Sequence, residues 1–380
     1  MTASDARHPR GPEMPGGRSP LPDVPFLSVV IPVRNEERFL GQTLSQLRRQ
    51  DYDPDRVEFL VVDGRSTDRT REIVLEASRA DPRIRLLDNP GIRSSSGRNV
   101  GFRAARGDIV LVVDGHVWIG NDRLLREVVR CFRLSDADCL GRPQPLRASA
   151  PGTWSESIAL ARATWLGHDR SSFIYGDFEG FAPAASIGAA YRPHVFRAVG
   201  YVDESFDACE DLEFNTRVDE AGLRCYTSPG LAVHYFAREG PAALFRQMFR
   251  YGFGRLEYLR RHPSRISLSQ AAPPLLAAAA TCWPLLAILS PGAAAAVGVG
   301  LCIYAAVVVA FSAALAARTG PAHFGRFLVV FPAVHLGVGF GLLASVIRAL
   351  WPRGRTDRPR SCGPSGIVRE DGGRRSEDSR

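Results

Sequence analysis

A long stretch near the end of the sequence is almost free of charge, and it limits what the whole chain can become. Between residues 271 and 350 the only charged side chains are Arg318, Arg326 and Arg348. No polar face interrupts the stretch, so a helical bundle surrounded by water is disfavoured. Polar breaks divide it into three apolar segments, residues 271–289, 293–317 and 327–347. Residues 271–350 are therefore predicted to form a membrane region.

The number of crossings stays open between two and three. A bilayer core needs about 20 apolar residues per helix, and the second and third segments meet this requirement. The first segment contains Pro273, Pro274 and Pro284, so it could span the membrane or re-enter it. If the preceding domain is cytosolic, three crossings would place the Arg-rich C-terminal segment outside the cell, against the positive-inside tendency. Two crossings would place that segment in the cytosol. We expect the preceding domain to face the cytoplasm.

Composition narrows the function classes. All 48 basic residues are arginine, which excludes mechanisms that need a lysine amine, such as P-loop hydrolysis or a pyridoxal Schiff base. A net charge of +8 permits nucleic acid or an anionic membrane surface as partner. No zinc-finger spacing or basic heptad region occurs, so we expect a membrane and no nucleic acid. The seven cysteines are scattered, which favours reduced thiols in the cytosol.

The two ends of the chain differ from the rest. Residues 1–24 are rich in Pro, Gly, Arg and Asp, and residues 351–380 are basic and poor in apolar side chains. Both segments are predicted to be disordered tails. The first 25 residues lack the apolar core of a signal peptide, so no cleavable signal is expected.

Between the N-terminal tail and the membrane region, apolar runs alternate with helical patterns. Runs of strand length cover residues 25–33, 57–63, 84–88 and 108–115. Helical patterns between and after them cover residues 35–50, 66–79 and 94–106. Unbroken apolar strands that are each followed by a helix are typical of a parallel sheet covered on both faces. Residues 25–262 are therefore predicted to be an α/β domain with a Rossmann-like, mostly parallel sheet flanked by helices.

The second half of this domain is less regular. A further strand is predicted over residues 186–192, and a helix from Asp211 to Ala221 that Gly222 ends. Residues 240–262 interleave apolar side chains with Arg, a pattern that favours an interfacial amphipathic helix. A plain surface helix of the domain is the alternative.

Polar side chains follow the predicted strands, at the edge of a parallel sheet where ligands bind. Asp63 ends the second strand, and Asp114-Gly115-His116 follows the fourth. Alternate residues of an extended chain can direct Asp114 and His116 at one ion, and a carboxylate with an imidazole suits Mn²⁺ better than Mg²⁺. We therefore predict that these two residues bind a divalent cation, Mn²⁺ or Mg²⁺. A polar turn after the strand is the alternative.

Two patterns in the second half can also support chemistry. Glu210-Asp211 stands at a predicted helix start, where adjacent acids could be simple caps. Alternatively, one acid could deprotonate a sugar hydroxyl while the other orients it. In the amphipathic helix, Gln247-x-x-Arg250-Tyr251 places an Arg where it could hold a diphosphate leaving group through two hydrogen bonds.

Four ordered blocks within residues 26–260 together resemble the family 2 glycosyltransferases, which are inverting enzymes with the GT-A fold. The blocks are SVVIPVRNEERFLGQTLSQLRRQ, VEFLVVDGRSTDRT, GRNVGFRAARGDIVLVVDGH and YVDESFDACEDLEFNTRVDEAG. They look like the family's first strand and helix, its acidic nucleotide loop, the segment that ends at its metal motif, and its acceptor-side segment. The chain is similar to membrane-anchored glycosyltransferases of the exopolysaccharide, succinoglycan type.

The resemblance implies a GT-A catalytic domain over residues 25–262 that takes a sugar from a nucleotide-diphospho-sugar, with UDP as the default nucleotide. It places Pro32, Val33 and Glu36 at the border of the nucleoside pocket. It also implies that Asp63 hydrogen-bonds the base and that Arg98 lies near the ribose and phosphates. Gln247 and Arg250 would contact the donor as well.

For the chemistry, the resemblance implies that Asp114 and His116 hold the metal on the diphosphate. The family's usual motif ends in Asp, although some related GT-A enzymes use Asp-x-His. His234 is a further candidate metal ligand, with an ordinary core or surface histidine as the alternative. Asp211 would be the general base, with Glu210 beside it.

The expected function is sugar transfer to a lipid-linked or saccharide acceptor at the cytoplasmic face of the cell membrane. A polyprenyl-phosphate sugar synthase and a processive polysaccharide synthase are alternatives within the enzyme class. Tyr251 stands where processive synthases have Trp, which weakens the case for polymerisation. A catalytically silent, nucleotide-binding membrane scaffold is the alternative outside it.

Overall fold

A computed structural model describes residues 19–169, 172–265 and 268–350. Residues 1–18 of the predicted N-terminal tail and the predicted C-terminal tail, 351–380, lie outside the described residues. The described part of the first tail contacts the domain. Arg133 donates to the carbonyl oxygens of Pro22 at 3.1 Å and Asp23 at 2.5 Å, and Leu21 packs against the core.

The elements follow one another with short connections over most of the described chain. The strands are β1 (Leu27–Val33), β2 (Val57–Asp63), β3 (Ile84–Asp88), β4 (Ile109–Val112), β5 (Val117–Trp118), β6 (Cys139–Gly141), β7 (Leu146–Arg147), β8 (Gly180–Phe181), β9 (Gly188–Tyr191), β10 (Cys225–Thr227) and β11 (His234–Phe236). The helices are α1 (Leu40–Arg48), α2 (Thr70–Ala80), α3 (Ser94–Ala104), α4 (Leu124–Ser135), α5 (Trp154–Arg162), α6 (Ala184–Ile187), α7 (Pro193–Val199), α8 (Glu210–Glu220), α9 (Pro241–Arg261), α10 (Leu268–Leu289), α11 (Pro291–Thr319) and α12 (Phe324–Leu350).

The main sheet has the strand order β3-β2-β1-β4-β9-β6-β10-β8. Its first four strands run parallel, β9 runs antiparallel to β4 and β6, and β10 is parallel to β6. A small second sheet has the order β5-β11-β7. The predicted fold class, an α/β domain with a mostly parallel sheet between helices, is confirmed.

Alternate side chains of the central strands face opposite sides of the sheet, so a hydrophobic core lies on each face. Val29 and Ile31 of β1 pack on one face with α1, α2 and α4. Val30 faces the other side, where it packs with Leu60 and Val62 of β2 and with α3, α7 and α8. Because both faces are covered, the strands have no polar side, which explains their unbroken apolar runs.

The first two helices begin later than the sequence predicts, at Leu40 and Thr70. The residues before them tie two loops together at the edge of the sheet. Asn35 adopts a left-handed φ of 55°; its N–H donates to Ser66 Oγ at 3.0 Å, and its Oδ1 accepts the Thr67 N–H at 2.8 Å. These side chains and backbone amides form hydrogen bonds between the two loops. Helices α1 and α2 therefore begin only after these residues.

Helices α10, α11 and α12 are each long and apolar enough to cross a bilayer. Helix α10 is continuous although Pro273, Pro274 and Pro284 lie inside it. In the apolar segment of α12, 44% is buried within the protein, compared with 6% in that of α10 and 11% in that of α11. Helix α12 is therefore the membrane-type helix that packs most closely on the rest of the chain.

The partner of α12 is α9, the predicted amphipathic helix, and the two backbones touch. A Cβ added at Gly252 of α9 would lie 2.1 Å from the carbonyl oxygen of Val338. A Cβ added at Gly341 of α12 would lie 2.0 Å from the carbonyl oxygen of Phe249. Small residues permit such close helix crossings. Helices α5, α9, α11 and α12 share a third hydrophobic core.

Candidate active site

The ends of β1, β2 and β4 lie side by side, because β1 stands between the other two strands. Val33 pairs with Asp63 across β1 and β2. A Cβ on Gly115 would lie 2.7 Å from Val33 Cγ1, so the missing side chain lets the segment after β4 pass close to β1. Asp63 and Asp114 are thus separated by about two strand spacings, roughly 10 Å.

On the β2 side of this edge, Asp63 is held in one place. It is buried, with 2% of its surface exposed, and its carboxylate accepts the Ser66 N–H at 3.2 Å. Arg71 Nη1 lies 3.4 Å from the same carboxylate. Beside it, Pro32 contacts α3, because a Cβ on Gly97 would lie 3.4 Å from Pro32 Cβ.

On the β4 side, Asp114 is surrounded by cationic and hydroxyl groups. Arg98 Nη2 lies 3.6 Å from its Oδ1, and the Tyr235 hydroxyl donates to its Oδ2. Arg142 is buried and donates to the Tyr235 hydroxyl at 3.2 Å. Burial alone would raise the pKa of Asp114, but Arg98, His116 and Arg142 outweigh it and lower the pKa. Asp114 is therefore an anion in this setting.

His116 is oriented by a carboxylate from the β1 loop. Its Nδ1 lies 2.8 Å from Glu36 Oε1, and since a carboxylate only accepts, the ring donates from Nδ1. Burial lowers the pKa of His116, but the hydrogen bond and charge of Glu36 overcome this and raise it. This contact assigns Glu36 a role in orienting the imidazole, in addition to its predicted place at the nucleoside pocket.

The acid pair begins α8 after Cys209, which has a left-handed φ of 67°. Glu210 is buried and lies 3.8 Å from Arg98 Nε, whereas Asp211 is exposed. Burial and the neighbouring Asp211 raise the pKa of Glu210. Asp211 Oδ1 accepts its nearest backbone N–H, that of Leu212, at 2.8 Å. Of the two carboxylates, only that of Asp211 is exposed to solvent.

Arg98 joins the two acidic groups. Its guanidinium lies between Asp114, at the end of β4, and Glu210, at the start of α8. Three elements distant in sequence, β4, α3 and α8, therefore converge on one cation. The structure thus brings together Arg98, Asp114, His116, Glu36 and Glu210.

Helix α9 approaches the acid pair from the other side. The Cys209 thiol lies 3.7 Å from the carbonyl oxygen of Tyr251. Gln247 Nε2 donates to the Tyr251 hydroxyl at 3.1 Å, and Arg238 donates to Gln247 Oε1 at 3.2 Å. Arg250 is exposed beside them. The Gln-x-x-Arg-Tyr pattern thus lies next to Glu210-Asp211.

His234 lies apart from this cluster. It pairs with Trp118 in the small sheet, and its buried Nδ1 has no hydrogen-bond partner among the described residues. Its neighbour Tyr235 contacts Asp114, and alternation along β11 directs the two side chains to opposite faces. The structure therefore places Tyr235, and not His234, against Asp114. No sequence motif marks Tyr235 or Arg142 as site residues. Tyr235 could have been predicted only from the alternation of side chains along the strand that contains His234.

The predicted cation needs ligands from outside the protein. In the described ranges no three His, Cys, Asp or Glu side chains lie close enough to hold a metal ion. Divalent cations in nucleotide sites are commonly held by one or two protein groups together with phosphate oxygens and water. Asp114 and His116 fit such a set, because His116 donates Nδ1–H to Glu36 and keeps Nε2 for a ligand bond.

Two family models match the sequence. The model described as Glycosyl transferase family 2 matches residues 28–185, and the model described as Glycosyl transferase family group 2 matches residues 121–317. The succinoglycan biosynthesis protein ExoA of Rhizobium meliloti (strain 1021) is 32% identical over 273 residues, which cover 71% of this chain and 81% of that protein.

More distant similarity extends to an archaeal enzyme and to a solved structure. The dolichyl N-acetyl-alpha-D-glucosaminyl phosphate 3-beta-D-2,3-diacetamido-2,3-dideoxy-beta-D-glucuronosyltransferase of Methanococcus voltae is 25% identical over 237 residues, covering 60% of this chain and 72% of that protein. The mannosyltransferase PcManGT from Pyrobaculum calidifontis superimposes with a TM-score of 0.52 at 20% identity, over 89% of this chain and 91% of that chain. This likeness supports the fold assignment.

Proposed function

This chain belongs to the family 2 glycosyltransferases, and on that premise we propose that it moves a sugar from a nucleotide-diphospho-sugar, a UDP-sugar by default, to a lipid-linked or saccharide acceptor with inversion. Residues 25–262 are the proposed catalytic domain, and residues 271–350 the proposed membrane region with the domain at the cytoplasmic face. The observation that carries the proposal is the position of Arg98 between Asp114 and Glu210.

The donor site in this proposal is the edge formed by β1, β2 and β4. In this proposal Asp63 would accept a hydrogen bond from the base, and Pro32 and Val33 would border the nucleoside pocket beside it. Asp114 and His116 would hold a divalent cation, Mn²⁺ or Mg²⁺, which when bound neutralises the departing diphosphate. The similar mannosyltransferase from P. calidifontis is in complex with GDP-Man and Mn²⁺, which agrees with this donor class.

The acceptor reaction is assigned to Asp211. Its exposed carboxylate takes the proton of the acceptor hydroxyl while that oxygen forms a bond to the anomeric carbon and the bond to the nucleoside diphosphate breaks. Attack from the face opposite the leaving group inverts the anomeric centre. Glu210 remains beside it, held by Arg98, and Arg98 and Arg250 add positive charge near the leaving group.

A single transfer in exopolysaccharide assembly fits these features better than chain growth. ExoA of R. meliloti is named as a succinoglycan biosynthesis protein. Tyr251 occupies the Trp position of processive synthases, and its hydroxyl is engaged by Gln247. Helix α9 packs on α12, so an acceptor anchored in the membrane can reach the acid pair from that side.

The test is Asp211→Asn in the full chain, reconstituted in lipid vesicles and supplied with nucleotide-sugars. Transfer should fall by at least about 100-fold, the lower range for loss of a general base, while binding of the nucleotide-sugar is kept. The matched control is Asp207→Asn, an exposed acid four residues earlier that should leave transfer unchanged. Undiminished turnover by Asp211→Asn would exclude this residue as the base.

A further inference from the structure

Arg162, the last residue of α5, is a buried cation without a carboxylate partner among the residues that the structure describes. It is 9% exposed. Its guanidinium contacts three groups that are not carboxylates: Met248 Sδ at 3.0 Å, His168 Nδ1 at 3.3 Å and the Tyr175 hydroxyl at 3.3 Å. A thioether is a weak acceptor, and a buried charge is costly unless it is paired. Among the described residues, Arg162 therefore forms hydrogen bonds but no ion pair with a carboxylate.

The three groups that Arg162 contacts directly carry no negative charge. Burial and the nearby Arg162 lower the pKa of His168 to about 3, so its imidazole is neutral. Arg255, one helical turn beyond Tyr251 in α9, also acts on His168, and within the described ranges it forms no ion pair. Asp169, the residue after His168, acts on that imidazole in the opposite direction, so two arginines and one carboxylate act on this region.

This region adjoins the acid pair. Met248, which touches Arg162, lies one turn before Tyr251 on α9, and residues three apart share a helix face. The backbone of Tyr251 in turn contacts Cys209, the residue directly before Glu210 and Asp211.

The same region touches the membrane-type helices. The loop after Arg162 places Trp165 edge-on against Phe311 of α11, with ring centroids 5.0 Å apart. One residue later, the carbonyl oxygen of Leu166 accepts the Nε2–H of His335 in α12 at 2.8 Å. Trp165 is 55% exposed, and exposed Trp is typical of the membrane–water boundary. Arg162 therefore lies between α9, which adjoins the acid pair, and the loop that contacts α11 and α12.

We propose that Arg162, together with Tyr175 and Arg255, binds the phosphate or diphosphate group of a lipid-linked acceptor and thereby places the acceptor hydroxyl at Asp211. The guanidinium fork matches phosphate oxygens, which would replace the weak contact with Met248. A neutral saccharide would leave the buried charge unpaired, so the site favours a phosphorylated lipid. This inference rests on the proposed function, because it assigns the acceptor of the same reaction.

The experiment compares two acceptors that carry the same sugar, one on an isoprenyl diphosphate and one on a plain alkyl chain. The full chain in vesicles of phosphatidylcholine should prefer the diphosphate acceptor. Arg162→Gln should reduce that preference by about 10- to 100-fold, the effect of losing hydrogen bonds to a charged group, through a higher KM for the diphosphate acceptor. The KM for the nucleotide-sugar should not change. Arg255→Gln, at a less buried position, should change the preference in the same direction.

Arg130→Gln is the matched control, because Arg130 on α4 pairs with Glu127 and Glu179 away from this region. Folding of each variant is checked by its melting temperature and by nucleotide-sugar binding. An unchanged acceptor preference in folded Arg162→Gln and Arg255→Gln would overturn the inference. Inhibition by inorganic diphosphate as strong as that by isoprenyl diphosphate would overturn the assignment to a lipid. If the wild-type chain transferred no sugar to either acceptor, the proposed function itself would fail.

Discussion

The contact between α9 and α12 can be tested with one methyl group, in the variant Gly252→Ala. The new Cβ would stand 2.1 Å from the carbonyl oxygen of Val338, whereas carbon–oxygen contacts between packed helices are about 3.3 Å or longer. The clash is with backbone rather than with a flexible side chain, so the helices must separate by roughly an ångström. Overpacking of this kind costs up to about 3 kcal/mol, and the better helix propensity of Ala returns about 1 kcal/mol. The expected net loss is about 2 kcal/mol.

This loss can be measured as a shift in the melting temperature of the full chain in detergent micelles. A decrease of roughly 2–3 °C is expected for Gly252→Ala. The matched control is Gly300→Ala in α11, where an added Cβ meets no other atom within 4 Å. That variant gains helix propensity without a clash, so its melting temperature should stay the same or rise. If Gly252→Ala melts at or above the wild-type temperature, the two backbones are not in contact as described.

Three further changes test the site and its scaffold. Tyr235→Phe removes the hydroxyl that donates to Asp114, so the nucleotide-sugar KM should rise by about tenfold or more; an unchanged KM contradicts a positioning role. His116→Ala should raise by at least about tenfold the Mn²⁺ concentration needed for half-maximal transfer, and an unchanged metal titration would remove His116 as a ligand. The pKa of Asp81 is lowered to about 2, mainly by the hydrogen bond from Arg83. The ionised carboxylate therefore stabilises the fold above about pH 4. This contribution disappears as the pH falls toward about 2. Asp81→Asn should therefore cost about 2 kcal/mol at pH 7, and its melting temperature should approach that of the wild type as the pH is lowered from 5 to 3; a constant difference would argue against this linkage.

The parallel half of the sheet could be predicted because its signal is local. Residues buried on both faces are mostly apolar, so β1 and β2 appear in the sequence as apolar runs of strand length; the buried exceptions Ser28 and Glu58 bond to each other at 2.7 Å. The ends of α1 and α2 could not be predicted from their own sequences. Their starts depend on hydrogen bonds such as that from the Asn35 N–H to Ser66 Oγ, which joins residues 31 positions apart.

The candidate site, like the fold, could be predicted from the sequence only in part. Asp63 and Asp114 follow apolar strands, so the sequence order shows that both lie at one edge. Tyr235 reaches Asp114 across 121 residues from a three-residue strand, too short for a periodic pattern to decide which of its side chains faces the site. His234 was the natural candidate by chemistry, but the pairing of β11 decides the orientation. Arg142 can be identified as a residue of the site only from its contact with Tyr235 in the structure.

Helix α9 links the candidate site to the membrane-type helix α12, because its different faces contact different partners. Gly252 lies against the backbone of α12, while Tyr251, the preceding residue, contacts Cys209 beside the acid pair. Successive residues of a helix point about 100° apart, so one rigid element can hold both contacts at once. Any displacement of α12 relative to the domain must then move Tyr251 against Asp211, or break the Gly252 contact. The position of α12 and the position of the acid pair are therefore not independent.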